Sequence, residues 1–405
     1  MNDQQRAGWI ADGMQREGFT ALLCRLPQHV VMLTGYQPVL GNSFCLVTLR
    51  SDGQPEARLA VPADEQDLVP KGAAASVKPY AEETMEKIST TIPSVRGPLG
   101  ELVREAGVGG GAVVGIEAVQ SPVASHYTQI GTPGPATTDM IAELVAGAEL
   151  RDATALLDDL SSVKSEDELR WIRRAEETGR AGFEAARTAI RPGATEAEVA
   201  GATYAGLLRA GYAVPGAWHV TAYVHVMSGP RAAEAYKAFN LTGSRTIERG
   251  DTVSVQMEVA VNGYWAELTR PFFAGEASDR WRAAHAACVK AQEAALRTIR
   301  AGVSGHDADA AARRVMQQAG FGEAFKHGLG HGFGFQAINH AAEPVLHPAS
   351  RSVLRAGQVH NMEPAVYLDG VGGIRLNDNV LVRQDGNELL SAAIPRDLDW
   401  LIVGE

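Results

Sequence analysis

The run Ile190-Arg191-Pro192-Gly193-Ala194-Thr195, which leads to Ala210-Gly211-Tyr212, returns 109 residues later as Ile299-Arg300-Ala301-Gly302-Val303-Ser304 leading to Ala319-Gly320-Phe321. A second pair follows at an offset of 107: Gly250-Asp251-Thr252-Val253, running to Gln256-Met257-Glu258, and Gly357-Gln358-Val359, running to Glu363. Chance likeness between Ala-rich helices is the competing explanation, but here the glycine stops and the strand starts line up as well. A duplicated unit of helix, helix and strands can face its two strand pairs across a pseudo-two-fold axis. Inward side chains at alternate strand positions then converge on one cleft. In such a cleft Gln256 and Glu363 are symmetry mates, and Glu267 and Asn377 form a looser second pair.

The repeat occupies only the C-terminal part of 405 residues, and a chain of that length exceeds one ordinary core. We expect two domains, residues 1–155 and 156–405. The capping box Ser165-Glu166-Asp167-Glu168 starts a helix just after the boundary, and Arg191-Pro192-Gly193 stops it. Thr195-Glu196-Ala197-Glu198 opens the next. In the N-terminal part, Phe44 to Leu49, Ala57 to Val61 and Ala112 to Ile116 read as strands, with Ser51-Asp52-Gly53 as a hairpin turn. The glycines at 109–111 precede a strand, whereas a phosphate-binding loop follows one and opens a helix.

A net charge of −11 without a basic cluster argues against nucleic acid, and no run of about 18 apolar residues predicts a membrane span. Cys24, Cys45 and Cys288 sit in apolar surroundings and read as buried reduced thiols. With no signal-peptide pattern at the N-terminus, these features suit a cytoplasmic protein.

Chemistry concentrates in four stretches. His327-Gly328-Leu329-Gly330-His331-Gly332-Phe333-Gly334, followed by His340, holds three histidines beside glycines that disfavour a helix and leave room at the backbone. Asn262 to Arg270, Met362-Glu363-Pro364 and Gly372 to Asn379 each place an acid or amide on a strand near a turn. Taken with the duplication, they read as one site.

This combination of Gly-Asp-x-Val, Gly-Tyr-x-x-acid-x-Thr-Arg, His-x-x-Gly-His-x-x-Gly, Met-Glu-Pro and Gly-Gly-x-Arg resembles the creatinase / aminopeptidase P / prolidase family. The resemblance implies an α/β (α+β) fold: an N-terminal creatinase-like domain, with His29 to Tyr36 as its first strand, and a C-terminal duplicated pita-bread catalytic domain. It also implies a homodimer. In the family's peptidases two Asp, one His and two Glu hold two divalent metals. Those positions carry over to Gln256, Glu267, His331, Glu363 and Asn377. Only His331 and Glu363 keep the pattern; Glu267 is one methylene longer than Asp, and Gln256 and Asn377 are neutral amides. Two carboxylates neutralise one divalent ion at most, and amides bring a dipole without a charge. Glu258, two residues from Gln256, shares its strand face and is a candidate to compensate.

The expected cofactor is therefore none, or a single divalent metal (Mn, Zn or Fe) on Glu267, His331 and Glu363. The resemblance makes His327, His340 and Glu363 the catalytic candidates. Tyr236, Arg270, Arg375, Gln256 and Asn377 are the substrate-binding ones, with Arg270 and Arg375 alternatively partners of Glu267 and Glu363. Tyr236 stands where the peptidases carry a His, which leaves His219 and His225 as possible substitutes. His340 lies two residues beyond the position of the family's last catalytic His. Creatinase works on a small guanidino compound without metal, but Thr269 and Asn377 replace its Glu and His, so creatine is not expected. The leading expectation is hydrolysis of a C–N bond in a small-molecule or short-peptide substrate, peptide-like or amidine-like. The alternatives are a metal-bearing Xaa-Pro peptidase and a binding module without catalysis.

Overall fold

The computed structural model describes residues 3–40, 42–118, 134–237, 241–338 and 344–404. The chain forms two compact units, Met1–Ser161 and Ser162–Glu405. The sequence reading placed the division at residues 155/156. The units divide six residues later because Leu156, Leu157 and Leu160 are buried and Leu156 packs on Gly13 of the first helix.

Unit 1 runs α1 (Gln4–Glu17), β1 (Ala21–Cys24), α2 (Pro27–Thr34), β2 (Phe44–Leu49), β3 (Pro55–Pro62), β4 (Ser76–Tyr80), α3 (Thr91–Glu105), β5 (Val113–Ile116), α4 (Pro135–Leu144), β6 (Glu149–Asp152) and α5 (Thr154–Ser162). Its strands make one mixed sheet in the order β4-β3-β2-β1-β5-β6. The hairpin expected at Ser51-Asp52-Gly53 joins β2 to β3, with Gly53 at φ 80°. The expected first strand at His29 to Tyr36 is corrected: this segment is the helix α2. Pro27 sits in its first turn, where a missing N–H costs nothing, and Gly35 ends it at φ 73°. The strand that opens the sheet is β1. All three cysteines are free and buried.

Unit 2 begins with two helices, α6 (Glu166–Ala189) and α7 (Glu196–Tyr212), each opened by a complete capping box at Ser165 and Thr195. They lead to β7 (Val220–Ser228), β8 (Thr252–Val261) and β9 (Tyr264–Ala274). The second half repeats the helices as α8 (Asp279–Thr298) and α9 (Gly305–Gln318). It continues with β10 (Val359–Met362), β11 (Ala365–Leu368), β12 (Gly372–Arg375), β13 (Asp378–Val382) and β14 (Asn387–Leu389), then α10 (Leu398–Leu401) and β15 (Ile402–Val403).

The two halves differ at one instructive place. In the first, Asn262-Gly263, both at positive φ, turn β8 into β9 as an uninterrupted antiparallel pair. In the second, the corresponding hairpin breaks twice, at Glu363-Pro364 and at Leu376-Asn377. Pro364 has no N–H to give the ladder. The freed strand end crosses to the other half: Asn377 N–H donates to the Thr269 carbonyl at 3.1 Å. One apolar core, including Phe183, Met257, Leu268, Phe272, Met362 and Ile374, runs beneath both halves. Gly179 and Gly182 let α6 lie close on it, since a Cβ at either would meet Leu268 or Leu207 within 2.3 to 2.6 Å.

Candidate active site

Strand pleating puts the first group of side chains in place. Opposed residues of β7, β8 and β9 share a face: Tyr223 opposite Glu258 opposite Glu267, and His225 opposite Gln256 opposite Thr269. Glu258, Thr269 and Asn377 are fully buried, and Gln256 and Glu267 nearly so. Gln256 Nε2 donates to Glu258 Oε1 at 2.5 Å and to Glu267 Oε1 at 3.3 Å. His225 Nε2 lies 3.5 Å from Glu258 Oε2. Glu258 therefore joins the site as the strand alternation suggested.

The second half supplies the opposite wall. The tract from His327 to Gly334 is neither helix nor regular strand. It is held by single bridges, Gly330 to Leu346 and Gly332 to His360. Its glycines are needed for approach: a Cβ on Gly330 would lie 2.0 Å from the Asn361 carbonyl oxygen. His331 Nε2 comes within 3.3 Å of Glu267 Oε2 and 3.7 Å of Glu363 Oε1. Arg375 donates to the Gln256 side-chain oxygen, and its Nη1 lies 3.7 Å from Glu363 Oε2. The pair expected to be symmetry mates, Gln256 and Glu363, are thus joined through one guanidinium.

Burial sets the charge states. It pushes Glu363 up to about 7, helped by Glu267 and opposed by Arg375 and His331. It pushes Glu267 up to about 7 as well, against Arg375 and the Asn361 hydrogen bond. Burial lowers His331, though Glu363 pulls the other way, so its contacts with the carboxylates are those of a neutral ring. Both carboxyls are thus held more readily protonated than exposed ones, which suits exchange of a proton with water or an amine.

The remaining candidates fall into different places. His327 is held neutral, burial lowering it to about 3. Its Nδ1 meets the Gly328 carbonyl at 2.7 Å and its Nε2 the Tyr367 hydroxyl at 3.1 Å, so both ring nitrogens are engaged within the protein. The Tyr236 ring packs against Tyr367, with centroids 5.3 Å apart. Of its suggested substitutes, His225 faces Glu258 and His219 contacts the Thr221 hydroxyl at 3.0 Å. Arg270 is corrected as a substrate anchor. It is fully buried, and its five N–H groups go to the carbonyls of Pro395, Thr269, Asn377 and Ile394 and to Asp378 Oδ1. Its acidic partner is Asp378, not Glu267 or Glu363. His340 lies outside the described residues. Sequence reasoning missed Asn361, whose Nδ2 donates to Glu267 Oε2 at 3.0 Å and lies 3.1 Å from His331 Nε2. Two positions before Glu363 on an extended strand, it shares that residue's face.

The sequence profile of metallopeptidase family M24 matches residues 170–384. The chain belongs to metallopeptidase family M24. A Xaa-Pro dipeptidase of Pyrococcus horikoshii is 28% identical over 243 residues, which are 60% of this chain and 66% of that one. Two solved structures share the fold. A Xaa-Pro dipeptidase from Bacillus anthracis has a TM-score of 0.77 at 23% identity and covers 99% of this chain and 100% of its own. An X-Pro aminopeptidase from Thermotoga maritima has a TM-score of 0.76 at 22% identity, over 98% of this chain and 99% of its own.

M24 peptidases are built around divalent metal, and the residues present here can be set against that need. Gln256 and Asn377 contribute no charge. Among the described residues no three His, Cys, Asp or Glu side chains form a metal-binding group. A protein N–H donor already lies between Glu267 and His331, and another beside Glu363. The set does not fit two ions. A single ion would have Glu267, His331 and Glu363 alone, and would have to displace the Asn361 amide.

Proposed function

We propose that this M24 chain hydrolyses the C–N bond of a small peptide-like substrate, with Xaa-Pro dipeptides the first class to test. The observation that carries the reading is the convergence of Glu267, His331 and Glu363 at 3.3 and 3.7 Å on one buried face, with both carboxyls held near 7. Water attacks the carbonyl carbon while Glu363 takes its proton. The C–N bond then breaks, and the proton held by the Glu363/Glu267 pair passes to the leaving nitrogen, giving a carboxylic acid and an amine; the acid's proton then passes to the more basic amine, leaving a carboxylate and a protonated amine. Asn377 suits contact with the substrate. It is fully buried, and neither of its side-chain polar atoms has a hydrogen-bond partner among the described residues, a costly state that a ligand relieves.

The test is a panel of Xaa-Pro dipeptides, other dipeptides and small amides, read by release of the free amine. Turnover of at least one Xaa-Pro dipeptide is expected, and Glu363→Gln should lower it by about 10²- to 10⁴-fold. A folded protein that cleaves amides or amidines but no peptide refutes the substrate class. One that cleaves nothing refutes the reading.

A second reading, a one-ion Xaa-Pro peptidase, is favoured by the three donors Glu267, His331 and Glu363 and by family membership. An ion there would acidify a bound water.

A further inference from the structure

Asn361 occupies the centre of the donor set. Its Nδ2 lies 3.0 Å from Glu267 Oε2 and 3.1 Å from His331 Nε2. Its orientation is fixed by its other end: Oδ1 accepts the His331 backbone N–H at 2.7 Å, and a flipped amide would set NH2 against N–H. The His331 tautomer is fixed in the same way. Nδ1 lies 3.0 Å from the Gly332 carbonyl, which only accepts, so the proton is on Nδ1 and Nε2 presents its lone pair to Asn361. The carboxylate oxygen and the imidazole lone pair that a cation would use are therefore both taken by the two protons of one amide.

Arg375 does the equivalent on the other side. It donates to Gln256 and to the Ala235 carbonyl at 3.3 Å, and it faces Glu363 at 3.7 Å. Burial acts to lower its pKa, but Tyr367, Glu363, Glu267 and Glu258 together raise it, so it is a permanent cation. Gln256 turns its oxygen to Arg375 and its nitrogen to Glu258 and Glu267, a division of labour that a carboxylate could not perform. At Gln256, then, the exchange of a carboxylate for an amide is matched by donor–acceptor contacts.

We infer that Asn361 and Arg375 stand where M24 peptidases hold divalent ions, and that this site is assembled without metal by N–H donors of the chain itself. The inference concerns the same site as the hydrolysis reading but is read on metal binding, so either can fail without the other.

The experiment is elemental analysis of the full chain, produced in medium containing Mn, Zn and Fe and purified without chelator, followed by Mn²⁺ titration calorimetry. The expected result is fewer than about 0.1 ion per chain and no saturable Mn²⁺ binding. Asn361→Asp keeps the shape, removes both donated protons and adds a charged ligand. It should bind Mn²⁺ saturably, near one ion per chain and at least about tenfold more tightly than the parent. Asn361→Ala, which only opens the gap, should also bind more tightly than the parent. The inference is overturned if the parent chain carries about one or more ions per chain through dialysis. It is equally overturned if both folded variants bind Mn²⁺ no better than the parent.

Discussion

Substituting Asp378→Asn tests the buried link between the two halves of unit 2. Arg270 is fully buried and Asp378 nearly so, their ion pair spans 2.6 Å, and Asp378 also accepts from Ser391 Oγ at 2.6 Å. Asn keeps the shape and an acceptor oxygen, so the change isolates the charge. It leaves a guanidinium uncompensated in the interior, a situation that costs about 3–5 kcal/mol. Spread over a unit of this size, that loss lowers the melting temperature by about 6 to 20 °C. Arg270→Met should cost more. It strands the Asp378 charge and also removes the Arg270 hydrogen bonds to the buried carbonyls of Pro395, Asn377 and Ile394, each worth about 1–3 kcal/mol when left unpaired. For the same reason an Arg270→Met/Asp378→Leu double variant should not regain parental stability, unlike ion pairs that answer only each other. The assay is thermal unfolding followed by circular dichroism, with urea titration as a check. An Asp378→Asn shift below about 2 °C, or a double variant as stable as the parent, would refute the reasoning.

Two further outcomes are expected. Burial pushes Glu176 up to about 8 from its usual 4.5, the Asn379 hydrogen bond opposing and Asp378 adding to the rise. Its contribution to stability is full below about 4.5 and is lost as pH rises through about 8, so unfolding curves for Glu176→Gln should lose part of the parent's decline between those values. Gly330→Ala drives a methyl against the Asn361 carbonyl and should destabilise by about 1–3 kcal/mol, whereas Gly8→Ala, with nothing within 4 Å in the middle of α1, should be neutral or stabilising on the same melting assay.

Much of unit 2 was legible because its signals are local. Capping boxes act within four residues, and a duplication shows itself as matched turn chemistry at a constant offset. The resemblance misled at His29 to Tyr36, which it implied to be a strand. Pro27 and Gly35, at the two ends, decide for a helix. In the site, the candidate positions came from the resemblance, but the partners of each side chain did not. Arg270 reaches a carboxylate over a hundred residues away, and nothing about the Thr-Arg motif selects Asp378 over Glu363. Asn361 was overlooked because an amide two places before Met-Glu-Pro's acid carries no charge to notice. Its significance lies in two contacts with residues far along the chain. Glu258 was recoverable, since alternation alone puts it beside Gln256.

The crossing at Thr269 and Asn377 bears on the integrity of the molecule. Each half of unit 2 carries helices and strands of its own, yet Gln256 and Glu267 lie in one and His331, Glu363 and Asn377 in the other. Arg270 clasps the backbone of both at that seam. A break near Gly275, between β9 and α8, would part Gln256 and Glu267 from His331, Glu363 and Asn377 and divide the core that the two halves share, so the site and the packing depend on the same covalent continuity.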